Sequence, residues 1–280
     1  MPEPAAFALL HSCAIRPTAS ARTIARFEKH PHLGRDIPRV MQIDALFANH
    51  LFFMATHRGS VRLEDRDFHV SGPSPSLVSF VPGSASSPLP DECPAVRLAP
   101  WSDGKAWSER LERAGFKPAE SLAYMELADA NKALVERGGA SVEVARGQAA
   151  ADHFAAVQAA GFATGERASD DWWGAYFVEQ ARKNITHPAQ RFYLGSLDGE
   201  TVTCTLVVRT PGISGVYAVA TRPQHRRRGA SMAVLERVRS DAIRSGFSRI
   251  ILQAVVGSYA YSYYAKLGFF TRYVSQVWRK

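Results

Sequence analysis

Between Val216 and Ser231 the chain reads Val-Tyr-Ala-Val-Ala-Thr-Arg-Pro-Gln-His-Arg-Arg-Arg-Gly-Ala-Ser: a strand-like run, an arginine-rich loop, and a glycine where a helix begins. The first amides of a helix have no acceptor inside it, and the aligned peptide dipoles favour an anion there. Gly229 removes a side chain where a phosphate has to come close, and Arg226, Arg227 and Arg228 supply charge. These residue types in this order suit a pyrophosphate. The glycine spacing matches neither a nucleotide P-loop nor the dinucleotide fingerprint. Taken alone, a loop of solvated arginines explains the stretch equally well.

A second segment changes the balance. Gly257-x-x-Ala260-x-x-x-Tyr264-x-x-x-Gly268-Phe269 places a phenol on a short helix before a glycine turn. A phenol, with an ordinary pKa near 10, can hand a proton to a departing thiolate. A core aromatic is the plainer role for Tyr264, because Tyr259, Tyr261 and Tyr263 crowd the same helix. Together the two segments resemble the GNAT family of N-acetyltransferases, whose signature is Gln/Arg-x-x-Gly-x-Gly/Ala. Arg226, Gly229 and Ser231 take its three places, with serine at the last. The preceding Val219-Ala220-Thr221-x-Pro223 is also common in that family, and Gly257 stands where the family has asparagine.

The resemblance implies an acyl-CoA site, with acetyl-CoA entering, CoA leaving, and no metal. Val219, Ala220 and Thr221 would flank the pantetheine arm, the backbone of Val219 polarising the thioester. Arg226, Arg227, Arg228, Gly229, Ala230 and Ser231 would hold the pyrophosphate. Tyr264 would act as general acid while the acceptor amine attacks directly. The helix-and-loop region that borders the acceptor in this family contains Asp170, Asp171, Trp172 and Trp173. Two acids beside two indoles suit a cationic amine; a capping acid followed by core tryptophans fits the same letters. No acid lies within Ile213–Ala220 or Ile250–Val256, so the general base is not legible. His225 sits in the phosphate loop, and Cys204 reads as a small buried hydrophobe.

The elements that must position these residues follow from pattern. Val142–Ala145 reads as a strand, Gln148–Ala160 as a helix, and Asp170–Lys183 as a second helix. Arg191–Leu197 and Thr201–Arg209 form a hairpin across Asp198-Gly199. Ile213–Ala220 is a strand, followed by the loop and by a helix to Ser245 that aligns Met232, Leu235, Val238 and Ala242 on one face. Ile250–Val256 is a strand covered on both faces, Tyr259–Leu267 a short helix, and Phe269–Trp278 holds two final strands. The resemblance implies a sheet splayed between Ile213–Ala220 and Ile250–Val256.

The N-terminal half repeats part of this order. Glu109–Phe116 and the run to Leu127 match Ser262–Phe269 and the strands after it, pairing Gly115-Phe116 with Gly268-Phe269. Trp101–Arg113 corresponds to the short helix, Pro94–Ala99 to the strand before it, and Phe52–Arg58 with Ser60–Val70 to hairpin strands. Leu111 replaces the tyrosine, and Ser71–Pro94, with six prolines and seven serines around one short strand at Leu77–Val81, stands where the Arg/Gly loop would be. The expected fold class is α/β: two GNAT-like domains, each a mixed, splayed β-sheet flanked by helices, the N-terminal copy degenerate. The expected bounds are 1–130 and 139–280, with the seam inside 128–140.

Composition narrows the remaining classes. With 46% hydrophobic and 21% charged residues the chain reads as globular, and no apolar run reaches the ~18–20 residues of a membrane span. The start MPEPAAFALLHSCAIRP has no basic leader region, so the expected location is cytoplasmic. Cys13, Cys93 and Cys204 are too scattered for a zinc site or a disulfide framework. The net charge of +8 is concentrated: residues 221–280 hold 12 Lys/Arg against Glu236 and Asp241. A polyanionic cofactor, a nucleic acid or an acidic partner would each account for that. The nucleic-acid reading is weakest, since no aromatic platforms interleave the arginines. The leading expectation is acetylation of a small-molecule primary amine. Acetylation of a protein or peptide amine is an alternative, as is an acyl-CoA-sensing module without turnover, and a homo-oligomer is compatible with either.

Overall fold

The computed structural model describes residues 44–57, 59–64, 66–134, 139–163 and 171–280. Asp170 and most of the Glu136–Ala140 seam lie outside them. The chain is mixed α/β and forms two compact units. One comprises the described residues up to Ser121 together with Ser275–Lys280; the other is Leu122–Val274. The last six residues belong to the first unit.

The first unit begins with helix α1 (Ala45–His57). The expectation of a strand at Phe52–Arg58 is not met: the aromatic run is helical, because Leu46, Phe47, His50, Leu51 and Met54 recur at helical spacing and are buried. The hairpin lies entirely in β1 (Ser60–Glu64) and β2 (Asp67–Ser71), paired from Ser60↔Ser71 to Glu64↔Asp67. Then come β3 (Ser79–Val81), β4 (Ala95–Arg97) and helix α2 (Gly104–Arg113). Asp103 caps α2 by accepting from the Ala106 amide at 3.1 Å. Phe80, Val96, Leu98, Trp107, Leu111 and Phe116 form the core with Trp278, which arrives on the last strand.

The second unit carries β6 (Ser141–Val144), α3 (Gly147–Phe162), α4 (Asp171–Asn184), β7 (Gln190–Leu197), β8 (Glu200–Thr210), β9 (Ile213–Thr221), α5 (Ala230–Arg244), β10 (Arg249–Val255) and α6 (Tyr259–Lys266). Strands β6 to β9 are successive antiparallel neighbours, and β9 and β10 are parallel. Helix α5 is the crossover between that parallel pair and buries Ala233, Val234, Leu235, Val238 and Ala242. Strand β5 (Lys117–Leu127) then pairs antiparallel with β10, from Leu122↔Val255 to Glu126↔Ile251. The end of the chain is one long strand, β11 (Phe269–Arg279), and not the two expected. Its residues Val277–Arg279 pair antiparallel with β4. Each unit is therefore completed by a strand from the other half of the sequence. Ala123, Met125 and Leu127 are buried in the second unit's core, and Glu126 holds Arg249 through two oxygens at 2.6 and 3.0 Å.

The two halves share one local pattern. Helix α2 ends before Gly115 at φ 82° and an 11-residue strand; helix α6 ends before Gly268 at φ 91° and an 11-residue strand. Leu111 and Tyr264 are both buried. Among the described residues no helix is long and apolar enough to cross a membrane, and no cluster of His, Cys, Asp or Glu could hold a metal ion.

Candidate active site

The site is built where β9 and β10 part. Their pairing runs from Ile213↔Arg249 to Val216↔Leu252 and stops, although β9 continues to Thr221 and β10 to Val255. On its other edge β9 carries a bulge. Cys204 faces Ala220 and Leu206 faces Tyr217, so Ala218 and Val219 together oppose Thr205. Ala218 has φ 50°, a left-handed conformation costing an L-residue roughly 1–2 kcal/mol. Two buried side chains of β8 hold the bulge: the Thr203 hydroxyl donates to the Ala220 carbonyl at 2.7 Å, and the Cys204 thiol donates to the Ala218 carbonyl at 3.6 Å. Burial pushes the Cys204 thiol pKa well up, which removes it as a thiolate nucleophile. Val219 consequently lies outside the paired register of both neighbouring strands, at the inner edge of the gap. No sequence signal marks the bulge, because its strained residue is an alanine.

Past β9 the chain turns through Pro223–His225 into α5. Gly229 precedes the helix at φ 80° with no side-chain cap, so the first amides of α5 are open to a ligand. The three arginines do not act alike. Arg226 turns back, its Nε donating to the Thr221 carbonyl at 3.3 Å and its Nη2 to the Gly161 carbonyl at 3.0 Å. Arg228 donates to Asp198 at 2.9 Å and lies 3.1 Å from His225 Nδ1. His225 in turn faces Glu200 at 3.2 Å. Arg227, at φ 63°, is exposed and has no partner among the described residues. The basic C-terminal stretch is largely neutralised in the same way: Arg222, Arg228, Arg237, Arg239, Arg244, Arg249 and Arg272 all meet carboxylates.

Helix α6 lies against this helix start. The Tyr263 and Ser231 hydroxyls are 3.4 Å apart, a contact the spacing argument for Tyr264 did not single out. Tyr264 is 7% exposed and belongs to the core cluster of Val216, Leu252, Ala254 and Phe269, against which Val219 packs. Its hydroxyl has no hydrogen-bond partner among the described residues. Burial first, and then the Tyr263 phenol, raise its pKa, so it is protonated at neutral pH.

The acceptor candidates divide. Asp170 is outside the described residues, and of Asp171 only the backbone, opening α4, is described. Trp172 and Trp173 stand in the first turn of α4 and meet edge to face at 4.8 Å. A residue that sequence reading missed ties the end of α3 to the end of β9. A Cβ on Gly161 would sit 2.7 Å from Ala220 Cβ and 3.1 Å from Thr221 N. The end of α3 therefore rests on the end of β9, backbone against backbone. A glycine inside a helix was the available signal. An open depression of about 550 Å³ in the first unit, lined in part by Val78, Cys93, Pro94 and Lys280, includes none of the expected residues.

The profile of an acetyltransferase (GNAT) domain matches residues 124–262, which takes in the end of β5 and the Arg226–Ser231 loop and ends before Tyr264. No curated protein matches in sequence. A functionally unknown conserved protein from Staphylococcus epidermidis superposes with a TM-score of 0.61 at 11% identity, covering 82% of this chain and 96% of that one. A GCN5-related N-acetyltransferase from Kribbella flavida superposes with a TM-score of 0.59 at 14% identity, covering 85% and 96%. At these identities the structures speak for the fold. With the family profile, they make residues 124–262 similar to a GNAT acetyltransferase domain.

Proposed function

We propose that the protein transfers an acetyl group from acetyl-CoA to a primary amine of a small molecule, by direct attack in a ternary complex. The observation that carries this reading is the bulge at Ala218–Val219 beside the gap between β9 and β10. It supports a Val219 backbone amide free to donate to a developing oxyanion. The open amides at the start of α5 and the free Arg227 suit the pyrophosphate of CoA. The amine nitrogen attacks the thioester carbonyl carbon, and the C–S bond then breaks. Tyr264 gives its phenolic proton to the leaving sulfur, and the ammonium proton passes to water. The position of Tyr264 in the core cluster against which Val219 packs is consistent with that role, although its raised pKa makes it a weaker acid than a free phenol.

Trp172 and Trp173 border the acceptor in this reading, brought near by the Gly161 contact with β9. The N-terminal half is a degenerate copy of the same fold that serves as scaffold. The shared helix–glycine–strand pattern, with Leu111 at the tyrosine place, supports this.

Titration calorimetry with acetyl-CoA tests the first step, and thiol release over a panel of amines tests the second. Binding with thiol release confirms a transferase. Binding without release on any small amine or lysine peptide moves the protein to an acyl-CoA sensor. No binding at millimolar acetyl-CoA ends both readings.

A further inference from the structure

The acceptor side of the site carries an aromatic ledge. Phe162 ends α3 and Trp172 opens α4, each 37% exposed. Behind them the rings are held by one another. Trp172 stacks on the buried Tyr176 at 5.0 Å and 10°, and meets Trp173 edge-on. Trp173 contacts Phe177 at 5.8 Å, and Phe177 lies 6.3 Å from Phe162. All five side chains are uncharged. The residue before Phe162 is Gly161, whose backbone touches Ala220 and Thr221 at the free end of β9. The ledge thus begins one residue from the strand on which acyl transfer is placed above.

Exposed large rings backed by neighbouring rings, one residue from a contact with β9, mark a surface that binds apolar matter. Their π faces favour a planar partner, and their immobility lowers the entropy lost on binding. We propose that the acceptor is an arylalkylamine: a primary amine on a short chain from an aromatic ring that lies on Trp172 and Phe162. This rests on the transferase reading and names its substrate class. Polyamines, which have no ring, and amino sugars, whose ring is polar and has no π face, are poorer acceptors on this ledge.

The test uses the full-length protein with saturating acetyl-CoA. It compares 2-phenylethylamine and tryptamine with n-butylamine, spermidine and glucosamine. The aryl amines are expected to exceed butylamine in kcat/KM by roughly tenfold, the upper end of what one aromatic contact supplies beyond buried area. Trp172→Leu removes most of that preference by raising KM for the aryl amines more than for butylamine. Trp172→Phe retains it, and neither variant changes acetyl-CoA affinity in calorimetry. Binding of N-acetyl-2-phenylethylamine to the CoA complex, read by tryptophan fluorescence, follows the same order without turnover. Equal or better turnover of butylamine or spermidine, with acetyl-CoA bound normally, overturns the ledge proposal and leaves the transferase standing. Failure to bind acetyl-CoA overturns the transferase reading itself. A dimer that shields Trp172 in solution assigns the ledge to a second copy and overturns the proposal.

Discussion

Replacing Gly161 by alanine separates two physical expectations of opposite sign. Gly161 lies in the last turn of α3, and helix propensity alone makes alanine better there by up to ~1 kcal/mol. The new Cβ, however, would meet Ala220 Cβ at 2.7 Å and Thr221 N at 3.1 Å. Neither atom is the end of a flexible side chain, so α3 or β9 must move. Overpacking of this kind costs about 1–3 kcal/mol, which leaves a net loss of up to about 2 kcal/mol. For a body of this size that corresponds to a fall in Tm of up to about 8 °C. Gly174, inside α4, is the internal control: a Cβ there meets nothing within 4 Å. Gly174→Ala should raise Tm by about 1–4 °C, from ~0.5–1 kcal/mol of recovered propensity. Circular dichroism melts of the two variants and the parent decide the matter. The displaced α3 also disturbs the Gly161 carbonyl that Arg226 holds, so acceptor KM should rise for Gly161→Ala only. If Gly161→Ala melts as high as Gly174→Ala, the close approach of α3 to β9 is refuted.

Four further outcomes are expected. Tyr264→Phe should keep the fold and acetyl-CoA affinity while kcat falls about 100-fold or more, the usual contribution of a general acid; an unchanged kcat removes Tyr264 from the mechanism. Arg227→Ala should weaken CoA binding about tenfold by calorimetry. Arg228→Ala should change it less than about threefold, because Asp198 already holds that guanidinium; the reverse order would mean that the ligand draws Arg228 away. A fragment starting at Gly139 lacks β5 and exposes the edge of β10, so it should aggregate or stay unfolded, whereas one starting at Leu122 retains those pairs; a folded, monomeric 139–280 fragment on gel filtration would contradict this. Tyr193, desolvated and facing Asp241, has its pKa pushed up to about 12 from the ordinary 10. The unfolded phenol loses its proton first, so this contribution to stability is complete below pH 10 and is lost as pH rises toward 12. Denaturant melts of Tyr193→Phe should therefore be less sensitive to alkali than the parent; equal sensitivity refutes the assignment.

Local chemistry was legible wherever neighbours in sequence decide the outcome. The Asp198-Gly199 hairpin, the glycine-led start of α5 and the Tyr264–Phe269 segment all occur where the residue pattern puts them. The N-terminal region was harder. Phe52–Arg58 has the aromatic content of a strand, and only burial of the i, i+3 and i+4 positions against the first unit's core selects helix α1.

Tertiary structure decided what depends on distant partners. A basic, glycine-marked loop could be read from residues 226–231 alone. Which arginine faces outward could not, because Arg226 is claimed by a carbonyl 65 residues earlier and Arg228 by an acid 30 residues earlier. The bulge that frees Val219 exists because Thr203 and Cys204 on the next strand hold the carbonyls of Ala220 and Ala218. The strand exchange also lay beyond local reading, since β5 and β11 have the same strand-forming character whichever half they complete. Propensity and periodicity act over a few residues and are written in the sequence. The parting of β9 from β10, the orientation of the arginines and the pairing of β5 arise from contacts between segments far apart in the chain, and those exist only once the chain has folded.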